Sequence, residues 1–409
     1  MFRKPLLCLT AMLISVVSGA FDSTLRADYI FTGGPSGVGV VLSGLSKTSG
    51  WYGRSANMSE VPVEGNGRIV MTDDASSQVI YAHSFSTLFQ EWLTTDESKR
   101  VDKGFENTFL LPMPSASATV TLTLYDTHRR VCCEYSHPVN PDDILIAGGN
   151  RTDAPYKYIH RGGAPEECID VAILAEGYTA SERRKFYRDA AAAVDAVFSY
   201  EPFSKYRDRF NFIAVAAQSG DSGVSVPRDN VWNKTAVDSH FDTFYTERYL
   251  TTEKIFKIHD CLEGLPYEHI IILANTDVYG GGGIYNSYTL TTAHHPLFRP
   301  VVVHEFGHSF GALADEYSTD SYDDPYYFPD VEPWEKNVTT LADFDSKWQD
   351  MIDAGVAGVG KFEGAGYQSK GVWRPADDCR MRTNIAESFC PVCIRAIEQM
   401  ILFYLGEDL

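Results

Sequence analysis

The first 150 residues alternate apolar and polar side chains over short runs. ATVTLTLYD, residues 118–126, is apolar at every second position, and SGVGVVLSG at 36–44 has similar valine spacing. A period of two is typical of a half-buried strand, because successive strand side chains point to opposite faces. Turn-forming residues such as those of VEGNGR, 63–68, separate the runs. The pattern predicts a β-rich, sandwich-like domain over residues 21–155.

Beyond a stretch rich in Gly, Pro and Asp that ends near residue 155, the pattern changes. Three compact apolar runs suit buried strands: CIDVAILAEGY (168–178), FNFIAVAAQ (210–218) and HIIILANT (269–276). Between them we predict a helix that begins at a capping Ser181 and a second helical segment near 238–258. This alternation indicates a sheet with crossover helices. The predicted fold class is therefore α+β, with an α/β domain at 156–409.

The N-terminus and the charge bear on location and partners. Residues 1–20 combine a short basic start, an apolar core and small residues up to Ala20, as a secretory signal peptide does. The alternative, a membrane anchor, needs roughly 20 apolar residues, and this stretch is shorter. We expect a protein that is secreted, periplasmic or on the cell surface, with no membrane span after the signal is removed. The net charge of −20 argues against nucleic acid as a partner.

Loss of Cys8 with the signal would leave seven cysteines, an odd number. Cys390 and Cys393 form a Cys-x-x-Cys pair, with Cys379 shortly before them. A redox motif needs a preceding strand that the pattern does not show, and a structural zinc needs a fourth ligand that is not visible nearby. We therefore favour a disulfide that involves Cys379.

Four glycines, 280–283, precede the run IYNSYTLTTA, residues 284–293. A phosphate-binding loop would require a following Gly-Lys-Ser or Gly-Lys-Thr, which is missing. The alternation in 284–293 is instead typical of an exposed edge strand, to which an extended peptide could add.

The segment VVVHEFGHSFGALADEYS, residues 301–318, carries the chemistry. On a helix, His304 and His308 lie one turn apart on one face, where both imidazoles can bind one zinc ion. Glu305 projects beside them and can accept a proton from a bound water and return it to the leaving amine. The alternative is a chance pair of histidines on a helix surface.

A third ligand requires the helix to stop, because Asp315 on a continuous helix would lie about 10 Å further along the axis. Gly311 can supply the stop by adopting a left-handed conformation. After such a turn either Asp315 or Glu316 could return to the metal, which would leave a fourth position for water.

The motif HEFGHSFGALADEY resembles that of the bacterial IgA-protease-like family of zinc metallopeptidases, which is similar to metzincins but has an acidic residue in place of the third histidine. DVAILAEGYT, SGVSVP, ERYLTT and CRMR resemble further segments of the family, and the likeness spans about residues 165–400. The β-rich N-terminal region also resembles the module that precedes the catalytic domain. The resemblance implies a metzincin-like domain with a mixed sheet and an active-site helix.

Position by position, the resemblance implies His304, His308 and Asp315 as ligands of one catalytic Zn²⁺, with Glu316 as the alternative third ligand. It implies Glu305 as general base. Tyr317 is a candidate hydrogen-bond donor to the oxyanion, with simple packing as the alternative. Met381 resembles the methionine turn that metzincins place beneath the metal, although methionine also fills cores.

Two polar stretches remain. His294 and His295 are interpreted as surface residues, with a role in substrate binding as the alternative. The acidic segment 315–330 lacks the spacing of a calcium loop and is interpreted as solvated.

Together these features predict a secreted zinc endopeptidase that hydrolyses peptide bonds of an extracellular protein or glycoprotein through a zinc-bound water. The family's activity on an immunoglobulin implies that substrate class. The alternatives are another zinc hydrolase, such as an aminopeptidase, and a binding module with a retired active site. The intact Glu305 argues against the last of these.

Overall fold

The computed structural model describes residues 21–319 and 325–408. Its strands are β1 Ser23–Gly33, β2 Gly39–Ser49, β3 Gly67–Asp73, β4 Val79–Phe85, β5 Lys103–Pro112, β6 Ala118–Tyr125, β7 Val131–Val139, β8 Ala147–Gly148, β9 Tyr156–Arg161, β10 Ile169–Glu176, β11 Phe210–Val215, β12 His269–Ala274, β13 Gly281–Ile284, β14 Tyr288–Thr292, β15 Phe362–Ala365 and β16 Gln368–Arg374. Its helices are α1 Leu88–Trp92, α2 Arg183–Val197, α3 Ile255–Leu262, α4 Phe298–Ser309, α5 Gln349–Asp353 and α6 Pro391–Leu405. The predicted signal peptide lies outside the described residues.

The N-terminal region consists of two four-stranded sheets. Their strand orders are β5-β1-β2-β8 and β4-β3-β6-β7. Along β6 every second residue is buried, as its sequence predicts. Phe85 from the second sheet meets Phe31 and Phe109 from the first, with ring centroids 6.2 and 4.5 Å away. The sheets therefore share an aromatic core, and the predicted sandwich-like fold is confirmed.

A six-stranded mixed sheet forms the second region, in the order β13-β14-β12-β10-β11-β9. The strands β11, β10, β12 and β14 run parallel, while β9 and β13 at the two edges are antiparallel to their neighbours. Helix α2 connects β10 to β11, and α4 follows β14. The predicted α+β class, with an α/β region after the β-rich one, is confirmed.

Two local predictions about helices are wrong. Thr179 rather than Ser181 caps the turn that leads into α2, in a reciprocal capping box with Glu182. The predicted helical segment near 238–258 is α-helical only from Ile255. Before it, left-handed backbone at Asp238 and Asp242 interrupts the chain, and Thr243–Tyr245 form a single 3-10 turn.

The two regions pack closely against each other. Arg26 of β1 pairs with Asp260 of α3 at 2.6 Å, and the backbone N–H of Ser86 donates to Tyr285 O at 3.0 Å. Apolar side chains from both regions also form one continuous cluster. The division at residue 155 stays a prediction. Within the described ranges, no helix combines the length and apolarity that a membrane span requires.

Candidate metal centre

Helix α4 carries the two histidines of the motif. His304 and His308 stand one turn apart, and their Nε2 atoms are 3.0 Å from each other. The helix packs against β13, β14 and α2, and its residues Val302, Val303 and Phe306 are fully buried. The shared helical face therefore brings both imidazoles to one point, as the spacing predicts.

Helix α4 ends before Asp315, as a third ligand from this residue requires, but Gly311 does not adopt the predicted left-handed conformation. Helix α4 stops at Ser309, and the left-handed residue is Ala312, with φ of 54°. Gly311 has a different role, because a Cβ there would lie 2.7 Å from the carbonyl oxygen of Gly307. The glycine thus permits close packing, and the chain reverses one residue later.

After this reversal Asp315 returns to the histidines. Its Oδ1 lies 3.0 Å from His304 Nε2 and 3.3 Å from His308 Nε2. A tetrahedral zinc ion with ligands at about 2.0 Å separates neighbouring ligand atoms by about 3.3 Å. The two imidazoles and the carboxylate therefore fit one zinc ion. Glu316 points elsewhere, and its Oε1 lies 3.0 Å from the sulfur of Cys393.

Backbone carbonyls hold both imidazole rings. Nδ1 of His304 is 2.9 Å from Arg380 O, and Nδ1 of His308 is 2.6 Å from Leu313 O. A carbonyl can only accept, so each Nδ1 carries the proton and donates it. With Nδ1 held in this way, Nε2 is the nitrogen that faces Asp315 and that would bind a metal on losing its proton, and the ring orientation is fixed.

A chain of hydrogen bonds ends on Oδ2 of Asp315, the oxygen that does not face the histidines. The hydroxyl of Tyr367 donates to Asp315 Oδ2, Tyr317 OH donates to Tyr367 OH at 3.3 Å, and Arg248 Nη2 donates to Tyr317 OH at 3.2 Å. The sequence analysis did not identify Tyr367 and Arg248 as site residues, since neither lies in a recognisable metal-binding motif. Through Tyr367, the hydroxyl of the half-buried Tyr317 is linked to the third candidate ligand.

The charges of the cluster favour an ionised Asp315. Burial raises the pKa of this carboxyl, but the charge of His308 and hydrogen bonds from both histidines outweigh burial and hold it well below its usual range. Burial likewise lowers the pKa of His308, but Asp315 outweighs it and raises that pKa to about 9. Burial raises the pKa of the neighbouring Glu305 above its ordinary value. The anionic carboxylate and the proton-accepting Glu305 suit metal-assisted hydrolysis.

Comparison with known families agrees with this geometry. The model of the family described as IgA Peptidase M64 matches residues 158–358 and 353–401, and that of the Peptidase M64 N-terminus matches 18–136. The chain therefore belongs to the IgA peptidase M64 family. It is a metallopeptidase, as the resemblance implied. A search of curated proteins finds no match to this M64 peptidase.

In this M64 peptidase the glycine run lies against the active-site helix. A Cβ at Gly281 would stand 2.8 Å from Glu305 Oε1, and one at Gly283 would stand 2.3 Å from Glu305 O. The edge strand is β13 itself, and Arg248 O accepts a bond from Gly281 N on its outer side. The prediction of an exposed edge strand over 284–293 is wrong, because β14 is an interior strand with every residue buried.

Other predicted residues of the M64 peptidase have clear positions. Met381 is fully buried, and its sulfur would lie 2.7 Å from a Cβ at Gly307, directly against α4. His294 pairs with Asp189 at 2.8 Å. His295 Nδ1 accepts the backbone N–H of Leu297 at 3.1 Å. Part of the acidic segment, residues 320–324, lies outside the described residues.

The cysteines of the M64 peptidase differ from the prediction. Each of the seven within the described ranges is a free thiol, so the predicted disulfide of Cys379 is wrong. Cys379, Cys390 and Cys393 nevertheless converge, and the sulfurs of Cys379 and Cys393 are 3.8 Å apart. Glu316 lies beside these three cysteines, and the sequence analysis did not identify it as a neighbour because it is distant from them in the chain.

Proposed function

We propose that this M64 peptidase is a secreted zinc endopeptidase that cleaves protein or glycoprotein substrates. The observation that carries the proposal is the triangle of His304 Nε2, His308 Nε2 and Asp315 Oδ1, with sides of 3.0 to 3.3 Å. Two imidazoles and one carboxylate, with a fourth position open, are a usual donor set of catalytic zinc.

The chain's residues supply the proton transfers. When bound, zinc would polarise the scissile carbonyl and lower the pKa of the attacking water. The Glu305 carboxylate would take a proton from that water and give it to the leaving nitrogen, and its burial favours holding the proton between the two steps. Tyr317 would turn its hydroxyl from Tyr367 to the developing oxyanion, which the long 3.3 Å bond between them permits.

The rest of the proposal rests on the sequence. The signal-like pattern of residues 1–20 supports export, and the division into domains at 21–155 and 156–409 follows the change of pattern near residue 155. Membership of the family described as IgA Peptidase M64 supports a protein substrate. Asp315 contacts the histidines, whereas Glu316 contacts Cys393. This supports Asp315 rather than Glu316 as the third ligand.

Replacing Glu305 tests the mechanism. We expect Glu305→Gln to lower kcat by about 10²- to 10⁴-fold, the usual share of general acid–base catalysis, with unchanged bound zinc. Glu60→Gln, at an exposed position, is the matched control and should keep full activity. The substrate pool consists of peptides blocked at both ends, in which only internal cleavage is possible. Full activity of Glu305→Gln contradicts the mechanism, and failure of the wild type to cleave blocked peptides contradicts an endopeptidase.

A further inference from the structure

A second group of metal-binding side chains lies in the core next to the candidate metal centre. The sulfurs of Cys379, Cys390 and Cys393 and a carboxylate oxygen of Glu316 all lie within 4.8 Å of one another. Their exposed fractions are 1%, 5%, 0% and 0% respectively. The group, called here the cysteine cluster, is therefore shielded from solvent.

The spacing of the cysteine cluster suits a tetrahedral metal ion. For Zn–S bonds of about 2.3 Å, neighbouring sulfurs are separated by about 3.8 Å. The sulfurs of Cys379 and Cys393 are 3.8 Å apart. A disulfide between these two residues would leave Cys390 as a spare thiol beside a buried carboxylate. A four-coordinate ion uses all four side chains and leaves no position open, which is typical of a structural site.

Glu316 lacks a full set of partners without a metal. Its Oε1 accepts hydrogen bonds from Asn337 Nδ2 and from the thiol of Cys393, each at 3.0 Å. Among the described residues, its Oε2 has no hydrogen-bond partner although it is fully buried. Arg374 is close enough to act on Glu316, but its Nη1 donates to the carbonyls of Glu363 and Gly364. A buried carboxylate is costly unless a cation compensates it.

The backbone around the cysteine cluster favours thiolates. The N–H of Cys390 donates to the sulfur of Cys379 at 3.2 Å. Cys390 is also the N-cap residue of α6, with Pro391 at the first helical position. The positive end of the helix dipole stabilises a negative sulfur there. Hydrogen bonds to the ligands and a favourable dipole are the support that metal sites usually have.

We propose that Cys379, Cys390, Cys393 and Glu316 bind a second, structural zinc ion. Three thiolates and one carboxylate form a soft, sulfur-rich donor set that selects zinc over magnesium or calcium. The ion would join α6 to two segments of the catalytic site: Glu316 follows Asp315, and Cys379 precedes Arg380, whose carbonyl holds His304. Its role is to fix the positions of the catalytic ligands.

Zinc content and ligand type test the proposal on the full-length wild type. Metal analysis should find two zinc ions per chain, and zinc-edge X-ray absorption should show a sulfur shell at about 2.3 Å beside a nitrogen and oxygen shell. Cobalt substitution should give thiolate-to-metal charge-transfer absorption. A spectrum without sulfur, iron in place of zinc, or a mapped disulfide at Cys379, Cys390 or Cys393 would overturn the assignment.

Variants separate the two sites. Cys393→Ser and Glu316→Gln should each bind one zinc fewer, and Cys393→Ser should also lose most of the cobalt charge-transfer band and melt at a lower temperature. Cys132→Ser, at an exposed cysteine, is the matched control and should keep both ions. His304→Ala with His308→Ala should lose the catalytic ion yet keep the sulfur-bound one, so each proposal can fail alone. If the cluster variants do not fold, the wild-type spectra still decide.

Discussion

Asp315 and Glu316 are neighbours in the chain, but their carboxylates lie in different chemical surroundings. Asp315 meets two imidazole nitrogens, and the side chains of His304 and His308 stay 14% and 15% exposed. Glu316 meets three thiols, and it is fully buried. Catalytic zinc sites keep a position open for water and substrate, whereas structural sites are closed. Two adjacent residues can therefore contribute to two different proposed sites, because their side chains point in different directions.

Removal of Asp315, the proposed third zinc ligand, should have the largest effect. In Asp315→Ala we expect zinc affinity at the catalytic site to fall by more than about 100-fold, which exceeds typical effects of indirect partners. Peptidase activity should fall with it, while the sulfur-bound ion stays. Exposed Asp195→Ala is the control. The measurement is zinc titration with a competing chelator, followed by peptide cleavage. Unchanged affinity would place the third ligand elsewhere.

Loss of the hydroxyl beside Asp315 should have an intermediate effect. Tyr367→Phe removes the hydrogen bond to Asp315 Oδ2, so the carboxylate is held less firmly. We expect a loss of about 10- to 100-fold in affinity for the catalytic zinc and none for the cysteine cluster. Tyr245→Phe, at a tyrosine that is 87% exposed, should change neither. Equal weakening at both sites would mean that Tyr367 supports the fold as a whole.

A substitution in β13 next to Glu305, the proposed general base, should give the smallest of these effects. In Gly281→Ala the new methyl group would stand 2.8 Å from Glu305 Oε1 and would displace that side chain. We expect kcat to fall about 10-fold, less than the roughly 100-fold that a 1 Å misplacement causes. Bound zinc should stay the same. Gly44→Ala, where a methyl group meets nothing within 4 Å, is the control. If the kcat of Gly281→Ala equalled that of the control, Gly281 would not be needed to leave room for the Glu305 side chain.

The sequence predicted the parts of the molecule that depend on local spacing. His304 and His308 share a helical face because of the helical repeat, and strands such as β6 follow a simple alternation. The position of Asp315 came from resemblance to the family. The conformation of single residues was harder to predict. Ala312, not Gly311, adopts the left-handed conformation that reverses the chain.

Contacts between distant segments could not be predicted from the sequence. The sequence does not reveal the fourth member of the cysteine cluster, because Glu316 lies far from Cys379 in the chain and belongs to the motif of the catalytic metal. Tyr367 reaches Asp315 only after the β15–β16 hairpin folds back. Only tertiary packing brings such residues together, and neither periodicity nor motif spacing predicts which distant residues will be in contact.

A crystal structure with anomalous scattering measured at the zinc edge would locate both proposed ions directly. We expect an anomalous peak about 2.0–2.2 Å from His304 Nε2, His308 Nε2 and Asp315 Oδ1. We also expect a second, separate peak within the cysteine cluster. A zinc-loaded crystal with no peak between the two histidines, or with a peak whose third ligand is not Asp315, would contradict the proposed catalytic site.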